Sequence, residues 1–310
     1  MNKKIISMMI ILSLVGFVLV GCGTNEPVDN EQVKEVKGTE YPLTLVDSYD
    51  NEITFEEKPA RVISVAPSIT ETIFALNKEE YLVGRTDFCD YPQDVSEVAS
   101  IGSLQEPNIE KIVELEPDFV IASTHFSEDV YNKLNNLGIE VVLLDPQDSF
   151  EGVYDVISQL GKILDANKEA AELVGGMKKT IDEVKEATKN LPKPRVYYVV
   201  GYGEFGDFTA GGDTFINDMI EMTSAENVAS DVEGWGYSLE RLVEQDPDML
   251  IVSKYNDVKA GIMEANGYKD LTAVQQGNVF EIDNNLLDRQ GPRIAQGLKE
   301  LAKLIHPEAF

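Results

Sequence analysis

Two stretches of this chain are copies of one another. Residues 109–123 read IEKIVELEPDFVIAS and residues 239–253 read LERLVEQDPDMLIVS. Seven of the fifteen positions are identical, among them Glu110/Glu240, Glu114/Glu244, Pro117/Pro247 and Asp118/Asp248. Each copy predicts an amphipathic helix, a turn at Pro-Asp, and a short apolar run of the kind buried in a parallel sheet. A fainter echo sets Arg61-Val62-Ile63-Ser64-Val65 against Arg195-Val196-Tyr197-Tyr198-Val199. Copies this far apart exclude a solenoid, whose units recur every ~20–50 residues. They point to two similar α/β lobes with mostly parallel sheets, and 310 residues suffice for two domains of ordinary size.

Between the copies lies one long helical pattern, residues 165–190. Ala170, Val174, Met177, Ile181, Val184 and Thr188 recur at alternating spacings of four and three, a narrow stripe along one helix face. Asp165 or Asn167 can cap its start, and Leu191-Pro192 ends it. Gly175-Gly176 interrupts it, at about 1 kcal/mol per glycine relative to alanine, so a bend or a close backbone contact is expected there. The division that follows is an N-terminal lobe at 41–165, a connecting helix at 166–191 and a C-terminal lobe at 192–310. Within the first lobe, 41–55 reads as a hairpin turning at Ser48-Tyr49-Asp50-Asn51. Residues 61–66 then read as a buried strand, and 69–76 as a helix with Ser68 as N-cap and Glu71 completing a capping box.

The first 21 residues read as a signal segment: Lys3-Lys4, then an almost wholly apolar run. The run ends Leu19-Val20-Gly21-Cys22, which resembles the bacterial lipobox, in which the cysteine is lipidated and becomes the new N-terminus. Residues 22–40 are polar and without period, a disordered tether with an r.m.s. reach of roughly 23 Å. The formal charge is −29, and loss of the signal with its two lysines takes it to −31. No basic face is available, so nucleic acid is excluded as a partner. Cys89 is then without an intrachain partner and reads as a small buried hydrophobe.

Enzymatic motifs are lacking. There is no GxSxG and no HExxH. The GxGxxG at 201–206 is not followed at once by a helix start, so it suits a loop approaching a ligand better than a dinucleotide site. Two histidines are too few for a zinc or manganese centre. His306, beside Pro307, reads as solvated. His125 follows the first repeat strand, at the carboxyl end of the sheet, where open α/β sheets bind ligands; it is either a surface residue or part of a pocket. Phe88, Tyr91, Phe126, Tyr202, Phe205, Trp235 and Tyr237 fall in loops at the same level, which suggests a flat-walled cleft for a large, partly apolar ligand. Arg289 precedes the last helix and is a candidate pocket cation, whereas Arg293 suits a structural pairing within that helix.

From about residue 61 to 305 the chain resembles the helical-backbone substrate-binding proteins of ABC importers for cobalamin, haem and ferric siderophores. The resemblance is carried by Arg-Val-Ile-Ser-Val-Ala-Pro-Ser-Ile-Thr-Glu, by Asp-Tyr-Pro at 90–92, by Pro-Asn-Ile-Glu at 107–110, by both repeat strands and by the 289–293 segment. It implies a ligand held between two lobes joined by one long helix, no catalysis, no cofactor and no directly bound metal. The ligand it implies is an iron chelate, a corrinoid or, alternatively, haem. An extracytoplasmic enzyme is the rival from another class. The resemblance further implies a monomer held to the outer face of a bacterial membrane through lipid on Cys22, and docking on a permease dimer with its cytoplasmic ATPase. Each lobe is expected to offer that permease an exposed glutamate, Glu71 and Glu226. Phe88 and Trp235 match aromatic walls and Arg289 a pocket arginine. Leu104 and Ser123 depart from the tryptophans that cobalamin binders carry there. A single helix is a stiffer joint than crossing strands, so closure is expected to be small.

Overall fold

The two repeat copies fold alike, and the reason is visible in their polar residues. In a computed structural model describing residues 36–124 and 126–310, the first lobe opens with the hairpin β1 (Leu43–Val46) and β2 (Glu52–Phe55), followed by β3 (Val62–Ser64), α1 (Pro67–Ala75) and β4 (Leu82–Arg85). The first copy then forms α2 (Ile109–Glu114) and β5 (Phe119–Ala122), and α3 (Glu128–Asn136), β6 (Glu140–Leu143) and α4 (Phe150–Ile163) complete the lobe. After α5 (Asn167–Thr188) come β7 (Arg195–Val199), β8 (Asp207–Phe208), α6 (Phe215–Met222), β9 (Glu226–Asn227) and β10 (Gly236–Tyr237). The second copy is α7 (Leu239–Gln245) and β11 (Met249–Ser253), and the chain finishes with α8 (Val258–Glu264), α9 (Thr272–Gln275), β12 (Val279–Ile282), α10 (Asn285–Asp288) and α11 (Ile294–Ile305).

Asn108 and Ser238 cap α2 and α7 by accepting from the backbone N–H three residues on. Asp118 accepts from the N–H groups of Ala60 and Arg61, and Asp248 from that of Arg195. In return the Arg61 guanidinium donates to the carbonyls of Leu115 and Glu116, and Arg195 to that of Gln245. Each arginine thus ties the start of one strand to the end of the repeat helix beside it, satisfying orphan carbonyls there. That is why the arginine echo accompanies the repeat.

Two four-stranded parallel sheets result, in the orders β4-β3-β5-β6 and β9-β7-β11-β12. They match strand for strand, with β5 and β11, the repeat strands, in the same third place. Each sheet has its own core on its outer face. On the inner face one apolar core runs from Ile121 and Ile157 through Met177, Ile181 and Val184 of α5 to Ile251 and Leu298. The helix α5 packs on α4 and on α11, so both lobes share it as a wall. It is 22 residues long, about 33 Å.

Two local expectations are corrected, and of the two alternatives at Gly175-Gly176 the close contact falls away. Helix α1 begins at Pro67 with Ala66 as N-cap and no side-chain cap, so Ser68 is already inside it and no capping box forms with Glu71. Pro67 accounts for this, because a proline suits the first helical position and needs no N–H partner. Neither Asp165 nor Asn167 caps α5. Asp165 accepts from the N–H of Thr39, and Asn167 donates to the carbonyl of Lys37 and the hydroxyl of Thr39. A Cβ at Gly175 or Gly176 would meet nothing within 4 Å, so no close contact calls for glycine there.

Candidate functional site

The site is a crevice of about 610 Å³ between the lobes, at the carboxyl ends of the strands. Its floor is Tyr198 of β7 and Val200, the residue just after that strand, with Phe215 at the start of α6. Phe215 meets Phe150 of the first lobe edge to face, ring centroids 4.8 Å apart, closing the back of the crevice. One wall is Trp235. The other is the segment around α10, where Asn284, Leu287, Asp288 and Gln290 face the cavity. Asp148 reaches in from the first lobe and accepts a hydrogen bond from Gln290.

Trp235 is held by glycine. The backbone at 209–212 lies directly on its loop: Thr209 N donates to the Trp235 carbonyl, Gly211 N to that of Gly234 and Gly212 N to that of Val232. A Cβ at Gly211 would lie 2.4 Å from the oxygen of Gly234, and one at Gly212 2.0 Å from that of Ser230. No side chain fits at either place. Asp213 accepts from Gly234 N and completes the strap.

The crevice is acidic. Asp148, Asp213 and Asp288 line it, and no Lys, Arg or His is among the described lining residues; the Arg289 guanidinium, close enough to act on Asp288, is paired with Glu71 and Asp90. Asp288 is exposed at the cavity, yet the protein packed around it limits its hydration and raises its carboxyl above the usual aspartate range despite hydrogen bonding from Asn284.

The arginine expected to serve as pocket cation is engaged elsewhere. Arg289 donates to Glu71 at 3.0 Å, to Asp90 at 2.6 Å and to the Phe88 carbonyl at 3.3 Å. Arg293 does not pair within its own helix. Its Nε and Nη2 donate to the two oxygens of Glu71 at 2.8 and 2.6 Å, and its guanidinium stands 3.9 Å over the Tyr91 ring. Glu71, expected at the surface, is 3% exposed. Buried between two arginines, it does not present the exposed carboxylate that the docking expectation required. Glu226 is exposed, but it pairs in register with Arg195, the first residue of β7, at the strand ends away from the crevice.

Of the expected aromatics, Trp235 lines the crevice. Phe88 and Tyr91 are exposed on the loop that Arg289 and Arg293 hold, beside cavity residues Asp288 and Gln290. Phe205 is 89% exposed and stands clear of the cavity. Three others turn inward. Phe126 is in the outer core of the first lobe. Tyr237 packs on Tyr197 and donates to the Val228 carbonyl. Tyr202 packs edge to face on Tyr268, its hydroxyl over Gly261. His306 is buried rather than solvated, because α11 ends against the core. Cys89 is buried and its Sγ accepts from Thr70. Cys22 and His125 lie outside the described residues. Among those residues no group of three or more His, Cys, Asp or Glu is placed to hold a metal ion, and no helix is long and apolar enough to cross a membrane.

Two like-built α/β lobes that meet at an aromatic-walled crevice, backed by one shared helix, define a two-lobed solute-binding protein. The chain belongs to the periplasmic binding protein family, whose pattern it matches over residues 62–286. The family is one of binding proteins rather than enzymes. An uncharacterised ABC transporter substrate-binding lipoprotein of Bacillus subtilis strain 168, YvrC, is 33% identical over 307 residues, covering 96% of each chain. A cobalamin-binding protein of Halobacterium salinarum is 27% identical over 320 residues, 99% of this chain and 86% of its own. Among solved structures, a possible iron-binding periplasmic solute-binding protein of Staphylococcus epidermidis matches with a TM-score of 0.71 at 31% identity, covering 80% of this chain and 99% of that one.

Proposed function

We propose that this chain is the lipid-anchored solute-binding component of an ABC importer and that its solute is a corrinoid. The observation that carries the choice of solute is the charge of the crevice: three aspartates, one tryptophan and, among the described lining residues, no cation. Haem propionates, citrate and catecholate chelates bring negative charge, which such a lining repels. A corrinoid brings a flat macrocycle for Trp235 and a rim of carboxamide N–H donors for the aspartates. Each aspartate uses an oxygen on a protein donor, namely Gln290, Gly234 N or Asn284, and so is oriented before the solute arrives.

Trp235 is the sole tryptophan, so its emission reports on the site alone. Cyanocobalamin and dicyanocobinamide are expected to quench it saturably, with dissociation constants of about 1 μM or below, some −8 kcal/mol. Hemin and ferric citrate are expected to bind more weakly. Tighter capture of either anion would overturn the corrinoid assignment, and no quenching by any of the four would remove Trp235 from the site.

Permease docking is better assigned to Glu110 and Glu240 than to Glu71 and Glu226. They occupy the same place in the two repeat copies, in the exposed first turns of α2 and α7. Helix starts in these units lie at the carboxyl ends of the strands, so both glutamates share the face of the crevice from which a solute must leave. Changing both to alanine is expected to abolish solute uptake by cells while leaving the Trp235 titration unchanged. Normal uptake by that double variant would refute the assignment.

A further inference from the structure

The 288–293 segment belongs to the second lobe, yet nearly every residue in it touches the first lobe or the crevice. Asp288 and Gln290 line the cavity. Gln290 also bonds Asp148 across it. Gly291 lies so close to α1 that a Cβ there would be 3.2 Å from Ser68. Arg289 and Arg293 converge on Glu71, whose side chain is 1% exposed. We propose that Glu71, Arg289 and Arg293 form a latch between the lobes that positions the Phe88–Tyr91 loop at the rim of the crevice, and that these three are positioning residues for capture rather than contacts of the solute.

The geometry argues for positioning. Glu71 receives three N–H donors from two arginines, and the Nε and Nη2 of Arg293 take its two oxygens as a fork. A forked guanidinium–carboxylate pair fixes direction as well as distance. Buried ion pairs are poor sources of net stability against apolar replacements of the same size; where they contribute, it is by selecting one arrangement. Here that arrangement relates α1 of the first lobe to the start of α11 in the second. The same two guanidiniums extend to the rim loop. Arg289 bonds Asp90 and the Phe88 carbonyl, and Arg293 lies over Tyr91. The loop carrying the exposed rings of Phe88 and Tyr91 is therefore set by the second lobe. Beside the cavity the latch holds the lobes in register together with the Phe150–Phe215 contact and the Gln290–Asp148 bond, and its Arg289 lies in sequence between two cavity residues, Asp288 and Gln290.

The proposal rests on the crevice being the capture site. Its test separates the two by measuring lobe geometry without solute. Spin labels are placed at the exposed positions Asn136 and Lys269 through a non-natural amino acid, which leaves Cys89 untouched, and distances are read by pulsed EPR. Glu71→Gln keeps the size of the side chain but turns an N–H toward the arginines. Its distance distribution is expected to be broader than that of the unaltered chain. If the latched arrangement falls to about a tenth of the population, the apparent dissociation constant for cyanocobalamin rises about tenfold. Should Glu71→Gln fail to fold, Arg293→Lys, which keeps the charge and loses the fork, is expected to broaden the distribution to a smaller degree. A distribution identical to that of the unaltered chain in whichever variant folds overturns the latch, whatever happens to stability. Absence of corrinoid binding to the unaltered chain would overturn the solute assignment alone, because the distances still decide the latch.

Discussion

Glu71→Ala is expected to destabilise the folded chain by about 3–5 kcal/mol, since it strands two guanidinium groups in a setting largely closed to water. The side chains of Arg289 and Arg293 are 13% and 15% exposed. Arg289 would keep Asp90 and the Phe88 carbonyl. Arg293 would keep only the face of Tyr91, worth about 0.5–2 kcal/mol. With each kcal/mol moving the midpoint of a chain of this size by about 2–4 °C, calorimetry should record a fall of roughly 6–20 °C. A midpoint unchanged from the parent would mean that water reaches the arginines freely once the carboxylate is gone. The outer arm of the cluster has a defined pH range. The hydrogen bond from Arg289 holds the Asp90 carboxyl below the usual aspartate range. Its contribution is therefore present above the unfolded value near about 4 and is lost only as pH falls through the lowered folded value.

Gly212→Val is expected to dislodge the Trp235 wall. Its Cβ would lie 2.0 Å from the Ser230 carbonyl oxygen, and backbone on both sides of the contact leaves no flexible end to yield. Overpacking of this kind costs about 1–3 kcal/mol. The strain falls on the strap that bonds 209–213 to the tryptophan loop. Two readouts follow: the emission maximum of Trp235 shifts in the free protein, and corrinoid affinity drops about tenfold or more, since tenfold is only ~1.4 kcal/mol. Gly176→Ala is the control, because open space surrounds that position. An unshifted spectrum and unchanged affinity for Gly212→Val would show that the strap does not hold the wall.

The lobes were legible because the repeat encodes a complete unit, including the Asp and Arg that pin strand to helix. The buried stripe of α5 was legible for a related reason: Ala170, Met177, Ile181, Val184 and Thr188 are spaced for one helix face, and that face is the one that packs. The crevice was harder to read. Phe126, Tyr202, Tyr237 and Trp235 all look alike in sequence, aromatic residues in loops beside strands. Only the third dimension turns three of them inward and leaves Trp235 at the cavity. Asp148, Asp213 and Asp288 gave no signal, because in a chain with 55 acidic residues another aspartate carries no contrast. Gly211-Gly212 was the overlooked clue, a pair that only close backbone contact explains. Glu71 shows a different failure. Its spacing from Ser68 fits a capping box, but Pro67 starts the helix too early for that, and its partners lie 218 and 222 residues away.

The shared inner core also dictates an order of assembly. With the chain supplied from its N-terminal side, α5 can cover the first lobe through α4 at once, but its other flank waits for α11, which comes late in the chain. Until then Met177, Ile181 and Val184 lack part of their apolar cover, and the shared inner core stays incomplete. Two lobes that look like separate modules should therefore complete as one cooperative event, after the final helix is delivered.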